Sequence, residues 1–100
     1  MTKISIVYST FKTQEDAAKA LKVLISENLA TCGNILAPHL AIYKWKGEVH
    51  EEAEVIAIFK TLPERLDALK NRLHAIHPYD VPCILSWDSD ALPDYVSTFI

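Results

Sequence analysis

The stretch Glu48-Val49-His50-Glu51-Glu52-Ala53-Glu54-Val55-Ile56-Ala57-Ile58-Phe59-Lys60-Thr61 decides the fold, because it reads as one strand whose two halves need different surroundings. Side chains alternate along a strand, so Val49, Glu51, Ala53, Val55, Ala57 and Phe59 share one face and His50, Glu52, Glu54, Ile56 and Ile58 the other. From Val55 to Phe59 both faces are apolar, as in a central strand, whereas His50 to Glu54 is polar and belongs outside a core. Fully extended, the stretch spans roughly 46 Å, against a radius of gyration of about 13 Å for a globule of this size. It must therefore bend or protrude.

Lys46-Gly47, just before it, marks a turn, and from Leu29 to Trp45 the pattern is again β-like. Pro38 cannot donate to a ladder, so a bulge or break is expected there. The resulting hairpin carries Tyr43 and Trp45 beside Glu48 to Glu54, and its unpaired backbone invites another chain; subunit pairing is expected. Downstream, Thr61-Leu62-Pro63-Glu64 reads as a capping box with proline in the first turn, followed by a helical stripe of Leu66, Leu69, Leu73 and Ile76. His77-Pro78 stops that helix, Val81 to Trp87 reads as the last strand, and Pro93 to Ile100 as a short closing helix or strand.

Upstream, Ile4, Ile6 and Tyr8 alternate with Ser5, Val7 and Ser9 in a first strand that ends at Thr10. Thr13 offers a hydroxyl cap, and Ala17, Ala20, Leu21 and Leu24 recur at helical spacing to about Asn28. The order is βαββαβ: an α+β, ferredoxin-like domain with an antiparallel sheet, a long hairpin between the second and third strands, and a short C-terminal element. With 100 residues, half of them apolar, the chain is expected to form one domain, 1–100, around one core. Two glycines and five prolines argue against a flexible linker.

A net charge of −3 speaks against nucleic acid, whose phosphates call for a basic footprint. No apolar run approaches the roughly 20 residues of a membrane helix, and Met1-Thr2-Lys3 leads straight into a strand, so no membrane partner and a cytoplasmic location are expected. Cys32 and Cys83 form no CxxC pair and are expected as reduced thiols.

Motifs narrow the function. Glu54 to Phe59 lacks the basic-glycine-aromatic signature of an RNA-recognition strand, and Thr10-Phe11-Lys12-Thr13 lacks the paired cysteines of a soft-metal chaperone loop. His77-Pro78-Tyr79-Asp80-Val81-Pro82-Cys83 concentrates imidazole, phenol, carboxylate and thiol between two prolines. Imidazole with thiolate suits zinc or copper, which makes His77 and Cys83 the metal candidates; the alternative is that His77 ends the helix and Cys83 fills the core. Cys32, in an apolar strand, reads as a buried thiol, and Glu51 lies opposite Glu52 and Glu54 on an acidic tip that is solvated or meets another subunit. His39, His50 and His74 read as surface or satisfied histidines, and Lys60 as an anion attractor, a cap or a salt-bridge partner. No base and nucleophile pair up, so no enzyme is expected.

Four segments, taken in order, resemble the CutA family of divalent-cation-tolerance proteins between about Tyr8 and Tyr95: Leu29-Ala30-Thr31-Cys32-Gly33-Asn34-Ile35, Ile42-Tyr43-Lys44-Trp45-Lys46-Gly47-Glu48, Glu54 to Thr61, and His77-Pro78-Tyr79-Asp80-Val81-Pro82. The resemblance implies a homotrimer of ferredoxin-like subunits with long strands pairing between copies. It also implies no established catalytic reaction, and a link to metal tolerance through copper binding in some members. A divalent or copper ion is the one cofactor it suggests. It further implies a ligand cleft at the subunit boundary, to which Tyr43, Trp45, Lys60, His77 and Tyr79 map; a signalling module holding a small anionic metabolite there is the alternative. This chain departs from copper-binding relatives. Ser9 stands where they can carry cysteine, Ile76-His77 where they can carry paired histidines, and Cys83 where glutamate is common. Gly33 is expected to mark a bulge.

Overall fold

Strand β4, Glu48–Thr61, organises the computed structural model, which describes residues 2–100; Met1, the first residue of the expected domain, lies outside the described residues. Before it come β1 (Lys3–Phe11), α1 (Gln14–Ser26), β2 (Cys32–Ile35) and β3 (His39–Trp45). After it come a 3-10 turn (Pro63–Arg65), α2 (Leu66–Ile76), β5 (Ile84–Asp90) and α3 (Pro93–Ser97). The antiparallel sheet runs β2-β4-β1-β5, and β3 pairs β4 off that path. The expected ferredoxin-like α+β order is present.

The two halves of β4 have different neighbours. Val55 to Thr61 lies between β1, from Phe11↔Val55 to Ser5↔Thr61, and β2, from Ile35↔Ala57 to Cys32↔Lys60. Glu48 to Glu54 pairs β3 alone, from Trp45↔Glu48 to His39↔Glu54. The single interrupted strand expected from Leu29 to Trp45 is thus two strands, separated at Leu36 to Pro38. The arm protrudes, giving a molecule 45 Å long and 25 by 23 Å across.

Helices α1 and α2 cover one face of the sheet. Val7, Phe11, Val55, Ala57 and Phe59 meet Ala17, Ala20, Leu24, Leu69 and Leu73 there, all buried. Thr13 Oγ1 accepts the Asp16 amide at 3.1 Å, as its capping role requires. Helix α1 stops at Ser26, short of the expected end, because Asn28 turns left-handed (φ 59°) and sends the Leu29 and Ala30 amides back to the Leu24 carbonyl. Gly33 is not a bulge: it pairs Phe59 in regular register, and an added Cβ would stand 2.6 Å from the Ile58 carbonyl oxygen and 2.9 Å from Leu21 Cδ1. Its bareness lets α1 lie close.

Three further boundaries differ from expectation. Thr61 forms no capping box; it remains in β4 and gives its hydroxyl proton to the Leu29 carbonyl at 2.7 Å, while Leu62 precedes the 3-10 turn without a side-chain cap. Strand β5 begins at Ile84 rather than Val81, since Pro82 has no amide proton and the Cys83 carbonyl accepts the Ser9 hydroxyl at 2.6 Å. It runs on to Asp90, where Lys3 forms an ion pair at 2.7 Å. The closing element is a helix.

The opposite sheet face is mostly bare. Ile4, Leu62, Val96 and Phe99 make a small second core under α3 at one end. Beyond it, Ile6 faces Trp87 and Tyr8 faces Leu85 across the β1–β5 ladder, with Ile56 and Ile58 alongside. Ile56 and Ile58 are half-buried and Leu85 and Trp87 exposed, so Val55 to Phe59 is fully covered on one face only. Among the described residues no helix is long and apolar enough to cross a membrane.

Candidate ligand cleft at the base of the hairpin arm

The register that builds the arm also gathers side chains on its helix-free face. In the Lys46-Gly47 turn both residues have positive φ, 50° and 81°, a type I′ geometry that matches the twist of a two-residue hairpin. Counting outward from it puts Tyr43 opposite His50, Ala41 opposite Glu52 and His39 opposite Glu54, on the face shared with Tyr8 and Thr10. Tyr79, Val81 and Cys83, from the α2–β5 loop, meet them from the β5 side. With Lys12, Ile42 and Trp45, and without His50, these residues line a cleft of about 770 Å³.

His77 fixes the loop. It is buried, stacks on Phe11 with ring centroids 4.3 Å apart, and lies 2.9 Å through Nε2 from the Thr10 carbonyl oxygen. Nδ1 accepts the Tyr79 amide at 3.1 Å, which assigns the proton to Nε2 and makes Thr10 its acceptor. Burial holds the His77 pKa below the ordinary histidine range, in keeping with a neutral ring. One residue pair further on, the Tyr79 hydroxyl donates to Glu54 Oε2 at 3.0 Å. Burial, and then this bond, push the Tyr79 pKa well above that of an ordinary phenol.

Tyr43 stacks on His50 (5.4 Å between centroids), and the neighbouring Glu52 carboxylate raises its pKa. The Tyr79 phenol is therefore a neutral donor toward a carboxylate. Partial loss of water, followed by the charge of Glu54, raises the Cys83 thiol, which leaves it protonated at neutral pH and a poor nucleophile. His39, expected to be at the surface or satisfied, has a buried Nδ1 without a partner among the described residues.

Of the expected cleft residues, Tyr43, Trp45 and Tyr79 line this space and Lys60 does not. Lys60 shares the face but sits at its other end, with Nζ 5.7 Å from the Tyr95 ring centroid, near the contact of Cys32 Sγ with the Tyr95 hydroxyl at 3.7 Å. Of the metal candidates, Cys83 is exposed and lines the cleft instead of filling the core, whereas His77 stands behind the wall with both ring nitrogens engaged. Among the described residues no group of three or more His, Cys, Asp or Glu is placed to hold a metal ion. Glu52, Glu54, Lys12 and Tyr8 were not expected in a site; the two-residue turn carried the signal for the glutamates, since it sets the register.

An anion in the cleft would meet Lys12 against Glu52 and Glu54, and among the described residues that line it the one thiol, Cys83, has its pKa raised.

The family model described as CutA1 divalent ion tolerance protein matches residues 5–99. The divalent-cation tolerance protein CutA of Pyrococcus horikoshii is 44% identical over 96 residues, covering 95% of this chain and 93% of that protein. The crystal structure of divalent ion tolerance protein CutA1 from Ehrlichia chaffeensis superposes with a TM-score of 0.93 at 33% identity, over 99% of this chain and 94% of that one. The structure of the periplasmic divalent cation tolerance protein CutA from Archaeoglobus fulgidus gives 0.90 at 27% identity, over 96% and 94%.

Proposed function

The chain belongs to the CutA1 divalent ion tolerance protein family, and on that premise we propose that it serves tolerance of, or response to, divalent metal ions as a homotrimer that binds or regulates and does not catalyse. The apolar surface left open by a single chain carries the assembly part of this reading. Ile42 and Val49 on the arm are 62% and 72% exposed, and Leu85 and Trp87 on the bare sheet face 54% and 47%. Glu48 to Glu54 has a strand partner on one side only. A second copy supplies both the missing strand and the missing cover.

A metal ion, copper or another divalent ion, meets the chain at Cys83 and at Nδ1 of His77. These two donors do not close a site alone: the Tyr79 amide occupies Nδ1, and Cys83 must first lose a proton held above its usual range. Donors from a second copy complete the coordination. The reading places the protein in the cytoplasm, although the Archaeoglobus relative is described as periplasmic; cell fractionation decides.

Native mass spectrometry during copper and zinc titration tests assembly and metal binding together. The expected result is a species of three times the 11.3 kDa subunit mass that takes up metal, with weaker uptake by His77→Ala. A subunit-mass species at micromolar protein would sink the assembly. Metal affinity unchanged by His77→Ala would remove His77 from the site.

A further inference from the structure

We propose that the groove between α1 and α2 binds a small amphipathic monocarboxylate, its charged head at Lys19 and Arg72 and its hydrocarbon body over Ala20, Val23 and Ile76. The groove belongs to the helix layer, across the sheet from the face that the proposed trimer covers. A copy seated on that other face leaves it open, and none of its residues is a donor in the metal reading.

Packing makes the groove. Ala17 and Ala20 let α1 lie close on the sheet, but Ala20 ends at its Cβ and leaves the seam toward α2 unfilled. Val23 on α1 and Ile76 on α2 are only half-buried, so each turns part of its side chain to the gap instead of the core. Pro78, just past the end of α2, borders the same space. Its volume of about 340 Å³ is within the range of small-molecule sites, and its floor is hydrocarbon.

Charge selects the guest. Arg72 donates from Nε to Glu27 Oε1 at 2.8 Å and from Nη2 to Glu27 Oε2 at 2.9 Å, a pairing that fixes the guanidinium plane and leaves the Nη1 hydrogens for another acceptor. Glu27 itself does not line the groove, whereas Lys19 does and takes part in neither ion pair among the described residues. Asp16 is the one acid in the lining, and it sits in the first turn of α1, where the helix dipole offsets its charge.

The two signs lie at opposite ends. Arg72 is held at Glu27, past the end of α1, while Asp16 is close enough to the start of the helix for its charge to act on His77. A single carboxylate is therefore favoured beside Arg72 and Lys19, and a second negative charge on the same guest would meet Asp16.

Methyl-detected NMR titration of the full-length protein with hexanoate, in the presence of a chelator, tests the idea beside hexan-1-ol, hexylammonium and acetate. The expected result is saturable hexanoate binding that shifts the Val23 and Ile76 methyls, weakened about fivefold or more by Lys19→Gln and by Arg72→Gln, with little binding of the controls. Glu27→Gln should act the other way and tighten hexanoate, since it frees Arg72 and removes a nearby negative charge. Lys19, Glu27 and Arg72 are all exposed, so these variants keep the fold. Equal affinity for the neutral alcohol, preference for the ammonium, acetate bound as tightly as hexanoate, shifts confined to methyls outside the groove, no hexanoate binding at all, or affinity unmoved by Lys19→Gln would each overturn the proposal. Since the chelator removes metal, any of these failures leaves the metal reading to its own titration.

Discussion

Tyr79 and Glu54 are joined by a hydrogen bond of 3.0 Å, phenol to carboxylate, that ties the α2–β5 loop to β4 where the strand leaves the core. Val55, the next residue, is buried, whereas Ala53 is exposed. The bond therefore closes the cleft at the boundary between domain and arm.

Replacing Tyr79 with Phe removes this bond and should lower stability by about 1–2 kcal/mol, the usual worth of a hydrogen bond to a charged group that is only partly buried. It should also change the alkaline limb of stability. The phenol's folded pKa is raised, so the bond's contribution is intact below the ordinary value of 10.0 and is lost as pH rises above it, where the unfolded chain releases the proton first. Thermal unfolding from about pH 9 to about pH 11 should show a decline that is smaller in Tyr79→Phe. Parallel curves would count against the assignment.

His77 should act on the acid side. Its folded pKa is depressed by burial, so its contribution is complete above the ordinary 6.5 and is lost as pH falls below that value, where the unfolded chain takes up the proton first. Denaturant midpoints of chelator-treated protein should fall between about pH 7.5 and about pH 5.5, and His77→Gln should flatten that slope while lowering stability throughout. A flat wild-type profile would show that the ring is not held neutral.

Some of this was legible in the residues and some was not. The stripe of Leu66, Leu69, Leu73 and Ile76 and the two-part character of β4 are local patterns, and both are present as read. Thr61-Leu62-Pro63-Glu64 carries the local signature of a capping box, yet the Leu29 carbonyl, distant in sequence, takes the Thr61 hydroxyl. Strand β5 starts late for a similar reason, since Ser9 is what engages Cys83. In the cleft, aromatic type marked Tyr43, Trp45 and Tyr79. Lys60 lies on the same face but, as parity alone does not say, far along β4 from Glu54, so within one chain it stands apart from these three.

Gly33→Ala is expected to destabilise by about 1–3 kcal/mol, the range for overpacking, although an exposed strand glycine would ordinarily gain from the change. The new Cβ would meet the Ile58 carbonyl oxygen at 2.6 Å, and backbone in the middle of a ladder cannot step aside as a side-chain tip can. A compensating Leu21→Ala relieves only the contacts with the two Leu21 methyls, so the double variant should recover little. Full recovery in chemical denaturation would move the cause from the sheet to the helix.

The bare sheet face permits a test of assembly that separates it from folding. Leu85 and Trp87 are exposed in the single chain and point away from α1 and α2, on the face of their partners Tyr8 and Ile6. The principal core, from Val7 to Leu73, does not include them. A charge at either position therefore has little to disrupt within one subunit, but in an assembled trimer it would have to be buried unpaired against another copy, at a cost of several kcal/mol. Leu85→Glu with Trp87→Glu should accordingly keep the far-ultraviolet circular dichroism of the wild type while sedimenting as a single subunit at micromolar concentration. Val49→Glu on the arm should weaken assembly less, because a solvated rim tolerates charge. Sedimentation of the double variant as a trimer would mean that the copies meet elsewhere, and that another partner covers this face.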